Sequence, residues 1–180
     1  MDMDDGRPQP ENLQRSIEWY VQLVRSGELP HAYRGILSFM SALKVYLETQ
    51  HPEYASGSLY PGYMDMTCFS FTPERLKSLK LKVAIVFLHD TMRFAIWLGG
   101  TNRGVRDAWI KRLSGFDTAP YAVSEPIPGV DSIVEVTLVD NPDFNDRKTL
   151  MRRIESASLR FIDDMTELFC REGLFSQERI

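Results

Sequence analysis

The chain has two cysteines among 180 residues, no C-x-x-C pair, and three histidines that never fall at ligand spacing. These shortages exclude a disulfide scaffold and leave no sequence signature of a metal site. Apolar runs are short too, and none approaches the ~20 residues that a membrane-crossing helix requires. The opening MDMDDGRPQPENLQ lacks the basic and apolar segments of a secretory leader, so the expected location is the cytoplasm, with no membrane partner. Charge of one sign is not in excess. Twenty-one Lys and Arg against 25 Asp and Glu give a net charge of -4 and a pI near 5.4, which makes nucleic acid an unexpected partner. Neither G-x-G-x-x-G, a Walker lysine nor a G-x-S-x-G elbow occurs, so no cofactor is expected and no complete catalytic motif is present.

What is present is the composition of a globular domain, 43% hydrophobic and 26% charged. A chain of this size hides roughly 70% of its unfolded surface, enough for one core to form without staples. The expected organisation is an acidic tail at 1–9, a single α+β domain over 10–172 and a C-terminal tail at 173–180. Leu13, Ile17, Tyr20, Val21 and Val24 recur at helical spacing, with Gly27 placed to end that helix. A second helix starts at Pro30 and carries Tyr33, Ile36, Leu37, Met40, Leu43 and Leu47 until Pro52 stops it. The stretch HPEYASGSLYPG reads as loop.

From Tyr63 the run YMDMTCFSF predicts a strand with Phe69 and Phe71 on one face and Met64, Met66 and Cys68 on the other, its aromatic and Met residues serving as core. Thr72 and Pro73 suit the start of a short helix. LKVAIVFL, residues 81–88, and RFAIWL, residues 93–98, are largely apolar on both faces and predict a central hairpin turned at HDTM. Thr101 or Asn102 can cap a helix bearing Val105, Trp109, Ile110 and Leu113, and YAV suits an edge strand. DSIVEVTLV, residues 131–139, is a further strand, and a last helix runs from about Asp146 to Glu172. The expected fold class is thus α+β: a mixed, mainly antiparallel sheet of four or five strands between helices, an α/β/α sandwich.

The order α-β-β-β-α-β resembles that of PD-(D/E)XK nucleases, whose likeness implies an acid before or on the second core strand and an acid-x-Lys triplet on the third. Here Ala95 and Trp97 occupy the triplet positions and Lys82 stands on the second strand, so the metal site is missing. A closer resemblance lies in LSFMSALKVYLE and in GYMDMTCFSFTPERLKSLKLKVAIVFLHDTMRFAIWLGGTNR, with NPDF following before the last helix. These segments are similar to an uncharacterised bacterial family with a domain of unknown function, over residues 37–170. That resemblance implies no activity or cofactor, and it implies a glutamate at the position of Ala95.

The polar residues set among these apolar strands are Asp65, His89, Asp90, Arg93, Asn102 and Arg103, and each needs a partner if covered. Arg93 is expected to pair with Asp65 or Asp90. His89 beside Asp90 is an acid-base candidate with Asp65, although such a dipeptide also makes an ordinary turn. WLGGTNRG joins strand to helix, so Asn102 and Arg103 could hold a small anion at the helix start. Basic groups at Arg75, Lys77, Lys80 and Lys82, at Arg103, Arg106, Lys111 and Arg112, and at Arg147, Lys148, Arg152 and Arg153 read as solvated helix faces.

The leading reading is a non-catalytic binding or interaction domain, and an exposed apolar patch would favour it. An enzyme acting on a small anionic substrate would need Asp65, His89 and Arg103 in one pocket, and a nucleic-acid binder derived from a nuclease fold would need a basic groove. With no acid-x-Lys triplet, DNA and RNA incubated with the protein in magnesium or manganese should stay intact. Cleavage abolished by Asp65→Asn would contradict this.

Overall fold

The computed structural model describes residues 12–125 and 132–175, so the acidic tail at 1–9 and the end of the chain from 176 lie outside the described residues. The chain divides into two compact units, residues 1–38 and 39–180. The first contains helix α1 (Leu13–Arg25) and the beginning of α2 (Glu28–Gln50). Asn12 caps α1 by accepting from the backbone N–H groups of Gln14 and Arg15, and Gly27, at φ +82, turns the chain where a side chain would be strained. Although α1 has the helical stripe its sequence predicts, none of its residues is buried.

The second unit holds the end of α2, β1 (Tyr54–Ser56), β2 (Met66–Pro73), α3 (Glu74–Ser78), β3 (Leu81–Leu88), β4 (Arg93–Gly100), α4 (Arg103–Leu113), β5 (Ser132–Asp140) and α5 (Arg147–Arg171). The five strands form one sheet in the order β1-β2-β3-β4-β5, flanked by helices, an α+β fold. Every described pair is antiparallel, so the sheet is not mixed: α4 returns the chain beside β4 in the opposite direction. The segment expected to be loop contributes β1, a three-residue edge paired with Phe71, Thr72 and Pro73. Of the YAV segment, Val123 alone bridges, to Val134.

Register fixes what each face carries, because paired antiparallel residues point the same way. One face shows Phe69, Ile85, Ile96 and, in neighbouring rows, Phe87, Phe94, Val83, Leu98 and Val134; nearly all are fully buried. Phe39 of α2 meets Phe94 and Phe144, and His51 at the end of α2 meets Phe71. Glu155 of α5 bonds Tyr46 of α2, while Trp109 of α4 stacks on Phe169 of α5 at 5.1 Å. Arg75 of α3 lies over Phe175, which itself meets Phe169. These contacts gather the unit's helices into one layer on one face.

The opposite face runs Tyr60, Cys68, Val86, Ala95 and Thr137 in one row and Ser70, Ala84, Trp97 and Glu135 in another. Val86 and Ala95 are buried, but most of the rest are part-buried and Glu135 and Thr137 are exposed. Helices on both faces, expected from the apolar runs of β3 and β4, are therefore not what this unit shows. Small residues at 84 and 95 flanked by Trp97 and Arg93 made those strands read as covered on both sides. Leu174, beyond the expected end of the last helix, is buried, and its N–H bonds the Phe169 carbonyl.

Candidate functional site

Strand β2 starts at Met66 and not at Tyr63, because the Asp65 side chain closes a turn there. Its Oδ1 accepts from the backbone N–H groups of Tyr63 at 2.8 Å and Met66 at 2.7 Å. Gly62 lies at φ +71, and a Cβ there would overlap the Met66 carbonyl, so the turn admits no other residue without moving. The chain before it doubles back, with Tyr60 and Cys68 exchanging backbone hydrogen bonds of 2.7 and 2.9 Å.

Two bonds tie this corner to the turn between β3 and β4. The His89 N–H donates to the Asp65 carbonyl at 3.0 Å, and His89 Nε2 lies 2.9 Å from Thr67 Oγ1. The Thr67 hydroxyl has one proton and donates it to the Pro61 carbonyl at 2.8 Å, so it accepts from His89, which must carry hydrogen on Nε2. Burial pushes the His89 imidazole below its usual pKa, against the opposing pull of Asp65 and Asp90. The backbone N–H groups of Met66 and Tyr63 hold the Asp65 carboxyl below the usual carboxylate range.

Asp65 and His89 thus meet, and Asp90 is exposed in the same turn. Arg93 does otherwise than its sequence neighbours suggest. Its Nη2 lies 3.3 Å from Glu135 and its Nη1 3.5 Å from Thr137, both on β5, so the expected pairing with Asp65 or Asp90 is replaced by a cross-strand one. Glu135 and Thr137 stand opposite Trp97 and Ala95 on the same face, so the long Arg93 side chain reaches them diagonally along β5. Both side chains are about one-third exposed, at 35% and 33%, so the pair is worth under about 1 kcal/mol.

Asn102 and Arg103 lie at the far end of β4, roughly 23 Å along the strand from Arg93 at about 3.3 Å per residue. Asn102 accepts from the Val105 N–H at 2.9 Å as the N-cap of α4, and Arg103 is exposed. Asp65, His89 and Arg103 therefore do not share a pocket. Thr72, expected to cap α3, instead accepts from the Val83 N–H, leaving Pro73 at the cap position with no side-chain bond. Arg106, read as part of a solvated face, is buried and holds Asp107 at 2.7 Å.

The exposed large hydrophobics of the second unit gather at the corner. Tyr63 is 88% exposed, Met64 45%, Met92 47% and Tyr60 45%; among the described residues of this unit, Val45, on α2, is the other. Met66 and Leu88, paired in register, are part-buried beside them. The reading of YMDMTCFSF as core holds for Phe69 and Phe71 and fails for Tyr63 and Met64, which the Asp65 turn sends outward. Gly62 and Asp65 flanking Tyr63 and Met64 were the available signal.

Two further polar groupings escaped the sequence reading because their members are far apart in the chain. Glu155 accepts from Tyr46 at 2.6 Å and lies 2.8 Å from His51 Nε2, joining α5 to α2. A cleft of about 250 Å³ lies between residues 117–121 and α5, where Tyr121 donates to Asp164 at 2.5 Å. Burial and that carboxylate push the Tyr121 hydroxyl up to about 12. Among the described residues no three His, Cys, Asp or Glu side chains gather as metal ligands, and no helix is long and apolar enough to cross a membrane.

In the second unit, a single antiparallel sheet with one helical layer and an exposed Tyr and Met corner defines an α+β class of domain. The chain belongs to the family described as Domain of unknown function (DUF7000), whose model matches residues 13–169. It is also 26% identical over 172 residues to RuvB-like protein 1 of Encephalitozoon cuniculi (strain GB-M1), a match covering 94% of this chain and 35% of that protein. The chain thus spans about a third of that relative's length. No solved structure matches.

His89 makes this corner sensitive to acid. Its folded pKa lies below the unfolded value of about 6.5, so the unfolded chain binds more protons in mildly acidic solution. The stability it contributes is complete above about pH 6.5 and is lost as pH falls through the folded value. Nitrogen NMR should show a neutral Nε2–H imidazole at pH 7.5 with a titration midpoint below that of free histidine; an Nδ1–H tautomer or a raised midpoint would contradict the geometry.

Proposed function

We propose that this domain is a protein-binding module that recognises an apolar segment of a partner at the corner formed by residues 60–66 and the β3–β4 turn. The observation that carries this reading is the exposure of Tyr60, Tyr63, Met64 and Met92 together. Soluble surfaces rarely collect large apolar side chains without a use, and tyrosine and methionine favour adaptable protein contacts. The patch stands on a hydrogen-bonded sheet end, so little order must be gained on binding.

The competing readings find less support. The Asp65 carboxylate is committed to two backbone N–H groups, and Arg103 lies at the other end of the strand. A small anion near Arg103 would have to displace the Asn102 side chain from the Val105 N–H. The RuvB-like relative suggests no chemistry for this chain, which lacks the G-x-x-x-x-G-K-[ST] loop that cradles nucleotide phosphates. A cytoplasmic setting is part of the proposal, in keeping with Cys68 and Cys170 both being free thiols.

A photo-crosslinking residue placed at Tyr63, in cells that make the protein, should give discrete adducts with another protein that the same residue at Lys111 on α4 does not give. Adducts at neither position, or equal ones at both, would count against a binding surface at the corner.

A further inference from the structure

We propose that the segment received at this corner is basic as well as apolar: a lysine- or arginine-bearing stretch of a partner protein, an inference that rests on the binding-module reading above. Three carboxylates rim the patch. Asp65 closes the turn that carries Tyr63 and Met64, Asp90 shares the β3–β4 turn with Met92, and Asp140 is paired in register with Arg93, the residue after Met92; all three are exposed. Of the described cations that the register places on this face, Lys82 stands at the opposite end of β3, and Arg93, at this end, is matched by Glu135. Arg147, which also belongs to this end of the unit, lies on the helical side over Phe39.

The rim therefore has a net negative charge around an apolar floor of Met66 and Leu88. A cationic segment gains on approach through the field of the rim and at contact through the face of Tyr63, since an aromatic face attracts guanidinium and ammonium groups. The same carboxylates repel the two other partners an exposed aromatic patch could serve, an anionic lipid surface and a nucleic-acid backbone. The Asp65 carboxyl keeps its charge into mildly acidic solution, since its folded pKa lies below the usual carboxylate range. Charge complementarity thus selects a basic amphipathic stretch, with its apolar side chains on Met66 and Leu88 and its cations toward the aspartates.

Fluorescence anisotropy with two labelled model peptides tests this, one amphipathic helix of Lys and Leu and its counterpart with Glu replacing Lys. The Lys/Leu peptide should bind the full chain about tenfold or more tightly than the Glu/Leu peptide, and should weaken as salt is raised. Tyr63→Ser with Met64→Ser should remove most binding, and Asp90→Asn with Asp140→Asn should weaken the Lys/Leu peptide alone. Both pairs alter exposed side chains, and circular dichroism should show the fold unchanged.

Equal or tighter binding of the Glu/Leu peptide, still lost with Tyr63→Ser and Met64→Ser, would overturn the charge inference and leave the binding surface standing. Binding of neither peptide, or binding indifferent to those substitutions, would overturn both. Binding to phosphatidylserine vesicles lost with Tyr63→Ser would overturn the inference by assigning the patch to lipid.

Discussion

The carboxylate of Asp65, held between the backbone N–H groups of Tyr63 and Met66, is the interaction on which the surface described here depends. It ends strand pairing at Met66, where period-two alternation alone would carry the strand back through Met64. Residues 60–65 instead fold back against Cys68, with Gly62 supplying a backbone angle and a close approach that a side chain would block. Thr67 then fastens the returning segment through the Pro61 carbonyl, and His89 fastens Thr67. Tyr63 and Met64 are exposed because the turn that Asp65 closes carries them out of the strand.

The other constraint is the one-sided helical layer of the second unit. Phe39, Phe87, Phe94 and Phe144 interlock beneath the same end of the sheet, with ring centroids 5.0 to 6.1 Å apart. A rigid aromatic floor on one face and a part-buried second face make the strand ends at this corner a fixed platform, which suits recognition better than a mobile loop would. The bond from the His89 N–H to the Asp65 carbonyl braces that platform.

Elements whose signals are local were legible in the sequence. The β3–β4 hairpin follows from two apolar runs with a four-residue turn, and α5 from a stripe sustained from Leu150 to Leu168. A cap for α4 at Thr101 or Asn102 followed from residue chemistry at a strand-to-helix junction, and Asn102 supplies it. What stayed hidden depends on partners distant in the chain. Arg93 chose Glu135, 42 residues away, and Glu155 chose Tyr46 and His51 more than 100 residues away. The helical layer's restriction to one face was masked because Ala84, Val86 and Ala95 are apolar wherever they point. The outward turn of Tyr63 and Met64 was masked because strand propensity does not register a side-chain carboxylate competing for backbone N–H groups.

The central claim is that the corner, unlike the core, presents methionine to solvent, and oxidation kinetics test it directly. Dilute peroxide followed by peptide mass spectrometry should convert Met64 and Met92 to sulfoxide well before Met40 and Met165, which are buried. Protection of Met64 and Met92 equal to that of Met40 and Met165 would contradict the account.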